Sequence, residues 1–115
     1  MHTILIKKEY KVSDEDIDDT MCSALEGGIT YWCRKVKVVG EYLGEYASDQ
    51  ISRGGDLILY DAEREDRWTL TLDLFLHGLK LAIEQGYFSG DFDDMDAGIA
   101  DVIVQLALFD EVVFG

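Results

Sequence analysis

Short runs of β-branched and large apolar residues predict the strands of this chain. They lie at 3–6 running on to Val12, at 36–39, at 57–60 and at 68–72, and the closing residues 109–115 are expected to form an edge strand. A charged stretch at 61–67 joins two of them and predicts a hairpin. On the second strand of this hairpin, Trp68, Leu70 and Leu72 are expected to face the core, because side chains alternate between the two faces of a strand.

The first helix is predicted to begin at Ser13. Asp16 stands where a capping box needs its acidic partner, and Val12 and Ile17 occupy the positions of a hydrophobic staple. Apolar residues then recur at helical spacing, namely Ile17, Met21, Ala24 and Leu25. The same register reaches Trp32, so the helix is expected to continue across Gly27 and Gly28, which is easier if another backbone packs close to them.

Two further helices follow the hairpin. Asp73 is expected to cap the second, and Gly86 to end it, with apolar residues on several sides that predict a central position in the fold. Asp94 or Asp96 is expected to cap the third, whose apolar stripe is Ile99, Val102, Ile103, Leu106 and Ala107. Strands in a meander followed by helices predict an α+β fold, with a small antiparallel sheet and about three helices on one face.

Length and composition favour one globular domain over residues 1–115, since 48% of the residues are apolar. The longest apolar run is too short to cross a bilayer, and Lys7, Lys8 and Glu9 interrupt the N-terminal one, so a cytoplasmic protein is expected. Cys22 and Cys33 are expected to be buried thiols rather than a disulfide.

The chain has 24 acidic and 10 basic residues, which gives a formal net charge of −14. This charge repels the phosphates of nucleic acids and anionic lipids and attracts basic proteins, so direct nucleic-acid or membrane binding is not expected. Acids are concentrated at 14–19, at 61–66 and beyond Lys80. Carboxylates on a rigid surface can imitate nucleic-acid phosphates; the alternative is that they cap helices and keep the protein soluble. The residues expected to bind a partner are Asp61, Glu63, Glu65, Asp66, Asp91, Asp93, Asp94 and Asp96.

The segment 44–55, GEYASDQISRGG, concentrates polar side chains between glycines. Carboxylates, an amide and a guanidinium in so short a span are suited to recognising a polar ligand. The residues concerned are Glu45, Tyr46, Asp49, Gln50 and Arg53. The structural alternative is a short helix over 45–52 that ends at Gly54.

Several kinds of chemistry do not fit the sequence. His2 and His77 are the only histidines, and no GxSxG elbow is present, so no catalytic residues are assigned. A calcium loop that begins at Asp91 would need a glycine where Asp96 stands and an acid where Val102 stands. The glycines near Arg53 lack the lysine and spacing of a phosphate loop. No metal and no cofactor are therefore expected. The aromatic pair Tyr31 and Trp32 is assigned to the core, with an interface as the alternative.

Three stretches, ALEGGITYWC at 24–33, EYASDQISRGG at 45–55 and QLALFDEVVFG at 105–115, resemble a family of small acidic proteins encoded by phages and mobile elements of gut bacteria. The resemblance covers nearly the whole chain. It implies the biological setting of the protein, and it assigns no binding or catalytic residues. Small acidic proteins from this context often inhibit host defence, and some are anti-CRISPR proteins. The expected function is a non-enzymatic, anti-CRISPR-like inhibitor of a basic host protein such as a CRISPR effector nuclease. The alternatives are a module that sequesters a nucleotide signal and a structural accessory that forms a homodimer.

Overall fold

The computed structural model describes residues 1–4 and 8–115. In this part of the chain an antiparallel sheet is followed along the sequence by two packed helices, and one helix precedes it. The helices are α1 (Asp14–Ser23), α2 (Leu72–Glu84) and α3 (Ala97–Phe109), and the strands are β1 (Cys33–Val38), β2 (Leu57–Asp61) and β3 (Arg67–Leu70). The α+β prediction is confirmed.

The sheet has the order β1-β2-β3, with both pairs antiparallel. Its register places Val36, Leu59 and Trp68 in one row on the inner face, and Val38, Leu57 and Leu70 in the next row. Most of these side chains are buried in the single core cluster. The hairpin prediction is confirmed, and so is the inward orientation of Trp68 and Leu70. Leu72 belongs instead to the first turn of α2.

Helix α1 begins as predicted. The Ser13 side chain accepts from the Asp16 N–H at 3.0 Å, and the Asp16 carboxylate accepts from the Ser13 N–H at 3.1 Å. The helix continues as one π-helical segment, Ala24–Gly28, and ends there. The predicted extension through Trp32 is wrong, because Ile29–Trp32 form a turn that leads into β1. Gly28 does contact another backbone, since a Cβ atom there would lie 2.5 Å from the Ala97 carbonyl oxygen.

Helix α2 is capped by Thr71, whose hydroxyl accepts from the Leu74 N–H at 3.2 Å. The predicted cap, Asp73, lies inside the first turn, because β3 ends two residues earlier than expected. Gly86 follows the helix with a φ of 82° and ends it as predicted. At Gly78 the helix touches α3 so closely that a Cβ atom would lie 2.4 Å from the Ile103 carbonyl oxygen.

Helix α3 is capped by Asp96, one of the two predicted candidates, which accepts from the Ile99 N–H at 2.8 Å. It ends where Asp110 adopts a left-handed conformation with a φ of 59°. The predicted edge strand at 109–115 is wrong. Phe109 still belongs to α3, and residues 112–115 run along the protein without pairing to the sheet, because a side chain of α3 binds their backbone.

The predicted N-terminal strand falls partly on residues 5–7, which lie outside the described residues. Residues 1–4 and 8–12 form no strand. Tyr10 instead packs against the loop before α3, where a Cβ atom on Gly90 would overlap its ring. The predicted thiols are both free, Cys33 buried and Cys22 only half-buried.

Candidate functional site

The acidic segment before α3, residues 91–96, is held in a fixed conformation. The Asp91 carboxylate accepts from the Asp93 N–H at 3.0 Å, and the Asp94 carboxylate accepts from the Ser89 hydroxyl at 3.2 Å. Phe92 anchors the segment through an edge contact with the buried Phe88, with ring centroids 5.2 Å apart. All four predicted aspartates are exposed, and none forms an ion pair with any described residue.

The second predicted set of partner-binding acids lies at the hairpin loop after β2, where one of the four is buried and three are exposed. Asp61 is only 6% exposed, and its carboxylate accepts from the N–H groups of Glu63 and Arg64 at 2.7 and 2.9 Å. These bonds hold the pKa of Asp61 below its ordinary value. Asp61 closes the turn and is not available to a partner, so its assignment to an exposed cluster is wrong. Glu63, Glu65 and Asp66 are exposed, as predicted.

The segment 44–55 is organised largely around its own backbone. The Gln50 side chain is 1% exposed; its oxygen accepts from the Leu43 N–H at 3.0 Å, and its nitrogen donates to the Glu41 carbonyl at 3.1 Å. One Asp49 oxygen accepts from the N–H groups of Glu45 and Tyr46, both at 3.1 Å. Both predicted ligand-binding groups therefore stabilise this loop.

The predicted short helix over 45–52 is a single 3-10 turn at Ala47–Asp49 followed by turns up to Gly54, where φ is 84°. Arg53 lies 3.8 Å from the Asp18 carboxylate and donates to the Asp49 carbonyl. Tyr46 is 61% exposed and lines a shallow cavity with Cys22 and Leu25, which neither Gln50 nor Arg53 reaches. The structure thus does not bring the predicted ligand-binding residues together around one cavity.

An aromatic cluster joins the sheet, α3 and the last residues of the chain. Trp32 and Phe114 stack with their rings 5.0 Å apart and 3° from parallel. Trp68 meets Phe109 edge to face, also at 5.0 Å, and lies 5.8 Å from Trp32. Such pairs stabilise by about 0.5–1.5 kcal/mol beyond the area that they bury. Trp32 belongs to the core as predicted.

A buried polar network adjoins these rings. The Asp101 carboxylate, in a residue only 8% exposed, accepts from the Trp32 indole at 2.7 Å, from the Gln105 amide at 2.9 Å and from the Tyr31 hydroxyl at 2.6 Å. The Gln105 oxygen accepts from the N–H groups of Val113 and Phe114, both at 2.8 Å. Gln105 therefore fixes the chain end and positions Phe114 against Trp32.

A cavity of about 450 Å³ opens beside this cluster, between the hairpin loop and residues 113–115. Its floor includes Trp68 and Phe109, and its rim includes Tyr31 and Arg64. Sequence reasoning missed this cavity. Tyr31 and Trp32 were singled out as a pair, but their partners Asp101 and Gln105 lie about 70 positions away, and no local pattern connects them.

Tyr31 should make the stability of the protein depend on pH in the alkaline range. The Tyr31 residue is 53% exposed, so its assignment to the core is wrong, but its hydroxyl reaches Asp101. Burial of this hydroxyl, with its hydrogen bond to Asp101 and the charge of that carboxylate, raises the pKa of Tyr31 from 10.0 to about 12. The folded state then holds this proton more tightly than the unfolded state does.

The resulting stabilisation is complete below pH 10 and is lost as the pH rises towards 12. Urea unfolding of the wild type and of Tyr31→Phe across this range tests it, since the other tyrosines contribute equally to both proteins. The difference in unfolding free energy should shrink with rising pH, and a constant difference would contradict the assignment.

The fold and its surfaces define a small acidic α+β protein in which local hydrogen bonds hold three exposed carboxylates of the segment 91–96. No family model, curated protein or solved structure matches the chain. In the described ranges, 1–4 and 8–115, no helix has the length and apolar character needed to span a bilayer. The same ranges bring no three side chains of His, Cys, Asp or Glu together as metal ligands.

Proposed function

We propose that this protein is a non-enzymatic inhibitor that binds a basic, nucleic-acid-handling protein of its host, in the manner of an anti-CRISPR protein. The observation that supports this function most directly is the segment 91–96. It presents four exposed carboxylates, at Asp91, Asp93, Asp94 and Asp96, without a cationic partner among the described residues.

The fixed geometry of this segment matters for binding. Charges already held in place lose less conformational entropy when a partner binds them. The Phe88–Phe92 contact and the capping bonds of Asp91 and Asp96 restrain the backbone that carries these carboxylates. A basic groove shaped for phosphates would meet several negative charges in a short, ordered span, which favours both fast association and selection of basic partners.

The first test is capture of partners from a host lysate by the tagged protein, at low and at moderate salt, with identification by mass spectrometry. We expect a basic nucleic-acid-binding protein that is lost as the salt concentration rises, because exposed charge pairs are screened. If no such protein is captured at either salt concentration, the inhibitor function is contradicted.

The second test neutralises the segment. The variant Asp91→Asn, Asp93→Asn, Asp94→Asn, Asp96→Asn should bind the captured partner at least tenfold more weakly, since each exposed pair contributes up to about 1 kcal/mol. Asparagine caps a helix about as well as aspartate, so α3 should stay folded. The matched control neutralises four exposed acids elsewhere, at Glu9, Glu41, Asp73 and Glu111. Equal loss in both variants would show that only net charge matters.

The alternative function is the binding of a small ligand, and one cavity of the structure is suited to be its binding site. The cavity of about 450 Å³ beside Trp68 combines aromatic rings with the guanidinium of Arg64, which pairs with no carboxylate of the described residues. Such a lining suits a planar, negatively charged ligand such as a nucleotide. We therefore propose the aromatic cluster, and not the segment 44–55, as the site of this alternative function.

A further inference from the structure

The outer face of the sheet has a charge opposite to that of the whole protein. Its first row is Lys35, Tyr60 and Arg67, and its second row is Lys37, Ile58 and Thr69. Arg34 joins them at the bulge in β1. Its guanidinium and the Lys35 ammonium lie 5.4 and 5.5 Å from the centre of the Tyr60 ring. This basic face therefore gathers four cations, Arg34, Lys35, Lys37 and Arg67, and the first two of them contact the Tyr60 ring.

These four cations are exposed, and none of the 24 acids pairs with them among the described residues. Arg34 also donates to the Asp61 carbonyl at 3.0 Å, but the Asp61 carboxylate itself is taken up by the N–H groups of its own turn. The Tyr60 ring instead holds two of them by cation–π contact. The basic face is complementary to an anionic partner.

The β1 edge of the sheet beside this face carries no further strand from residues 1–4 or 8–115. Strand β1 pairs only with β2 in the described sheet. The Val39 N–H donates to the Asp56 carbonyl, and antiparallel ladders alternate, so the N–H and C=O groups of Val36 and Val38 point away from β2. Among the described residues, the side-chain hydrogen bonds at β1 involve Cys33, Arg34 and Lys35, and none reaches the N–H or C=O groups of Val36 and Val38. Another strand can therefore add to this edge.

We propose that β1 binds an acidic, extended segment of a partner protein by strand addition. Acids at alternate positions of such a segment stand about 7 Å apart on one face, the same spacing as Lys35 and Lys37. A second copy of this chain fits less well, because antiparallel pairing of two β1 strands would set lysines against lysines. This surface is separate from the acidic segment of the proposed function, and either one can fail without the other.

The test uses the intact protein and a short synthetic peptide in which Asp or Glu alternates with Val. We expect binding by fluorescence anisotropy, and roughly tenfold weaker binding to the variant Lys35→Glu, Lys37→Glu, since two attractive contacts become repulsive. The charge-matched control is Lys11→Glu, Lys80→Glu, at two exposed lysines outside the sheet. It should bind the peptide as the wild type does.

A backbone measurement distinguishes strand addition from simple charge attraction. Hydrogen exchange at the Val36 and Val38 amides should slow when the peptide is bound, because both amides acquire a carbonyl acceptor. Unchanged exchange, or equal weakening in the two charge variants, would overturn the proposal. Binding of a single-stranded oligonucleotide in place of the peptide would overturn it as well.

Discussion

Replacing Gly78 by alanine is expected to lower the free energy of unfolding by about 3 kcal/mol. A Cβ atom at this position would lie 2.4 Å from the Ile103 carbonyl oxygen, 2.6 Å from the Ala107 nitrogen and 2.7 Å from the Ala107 Cβ atom. Two of these three atoms belong to the backbone of α3, so no side-chain rotation can make room. The helices must separate where both are buried, and urea denaturation of the variant measures the cost.

The sign of this effect is informative because helix propensity predicts the opposite result. Alanine in place of an interior glycine should favour the helix itself by up to about 1 kcal/mol. Gly98 provides the control, since it lies in α3 with only the Asp96 side chain nearby, at 3.4 Å. Gly98→Ala should therefore leave stability unchanged or raise it. A neutral or stabilising Gly78→Ala would show that α2 and α3 do not pack as closely as described.

Replacing Asp101 by alanine should destabilise the protein by roughly 3 kcal/mol, since a buried donor left without an acceptor costs about 1–3 kcal/mol. The substitution removes the acceptor for the Trp32 indole and for the Gln105 amide, both in residues that are at most 3% exposed. Gln105 also binds the backbone of Val113 and Phe114, so the docking of the chain end should weaken too. Thermal unfolding and near-ultraviolet circular dichroism report the two effects.

The variant Asp101→Asn distinguishes the contribution of the hydrogen bonds to stability from the contribution of the negative charge. Its side-chain oxygen can accept from Trp32 and Gln105, and its amide can donate to the Tyr31 hydroxyl. We expect this variant to lose less than half as much stability as Asp101→Ala and to keep the near-ultraviolet signal of the stacked Trp32. If the two variants lose the same stability, the negative charge, and not the satisfied donors, is what the fold requires.

The sequence predicted those features of the fold that depend on residues close to one another along the chain. The capping box of Ser13 and Asp16, the cap at Asp96 and the glycine stop at Gly86 depend on neighbours at most four positions away. The sequence predicted the first and the last of these, and it gave Asp96 as one of two candidates for the cap of α3. Period-two alternation similarly predicted the hairpin and the inward side of Trp68 and Leu70.

Contacts between residues far apart in the sequence determined where the first helix ends and what the residues after α3 form. The helix predicted to run through Trp32 ends at Gly28, where the backbone meets Ala97 and the indole of Trp32 turns towards Asp101. The predicted terminal strand is instead a segment bound by the Gln105 side chain. In each case a partner far along the chain contributed more than the local preference, and propensities of well under 1 kcal/mol per residue are easily overridden by such packing.

Some of the candidate binding surfaces could likewise be predicted from the sequence, whereas others depend on the tertiary structure. The sequence by itself determined the large negative charge and the exposed acids at 91–96, because hydrophilic aspartates before a helix need no tertiary partner to stay in solvent. The sequence analysis also assigned Asp61 to a partner-binding surface and Gln50 to a ligand-binding segment or a short helix, whereas the folded loops use both side chains to bind backbone groups. Only the tertiary structure assembled the aromatic cavity and the basic face of the sheet, because strand register and helix packing bring their residues together from separate parts of the chain.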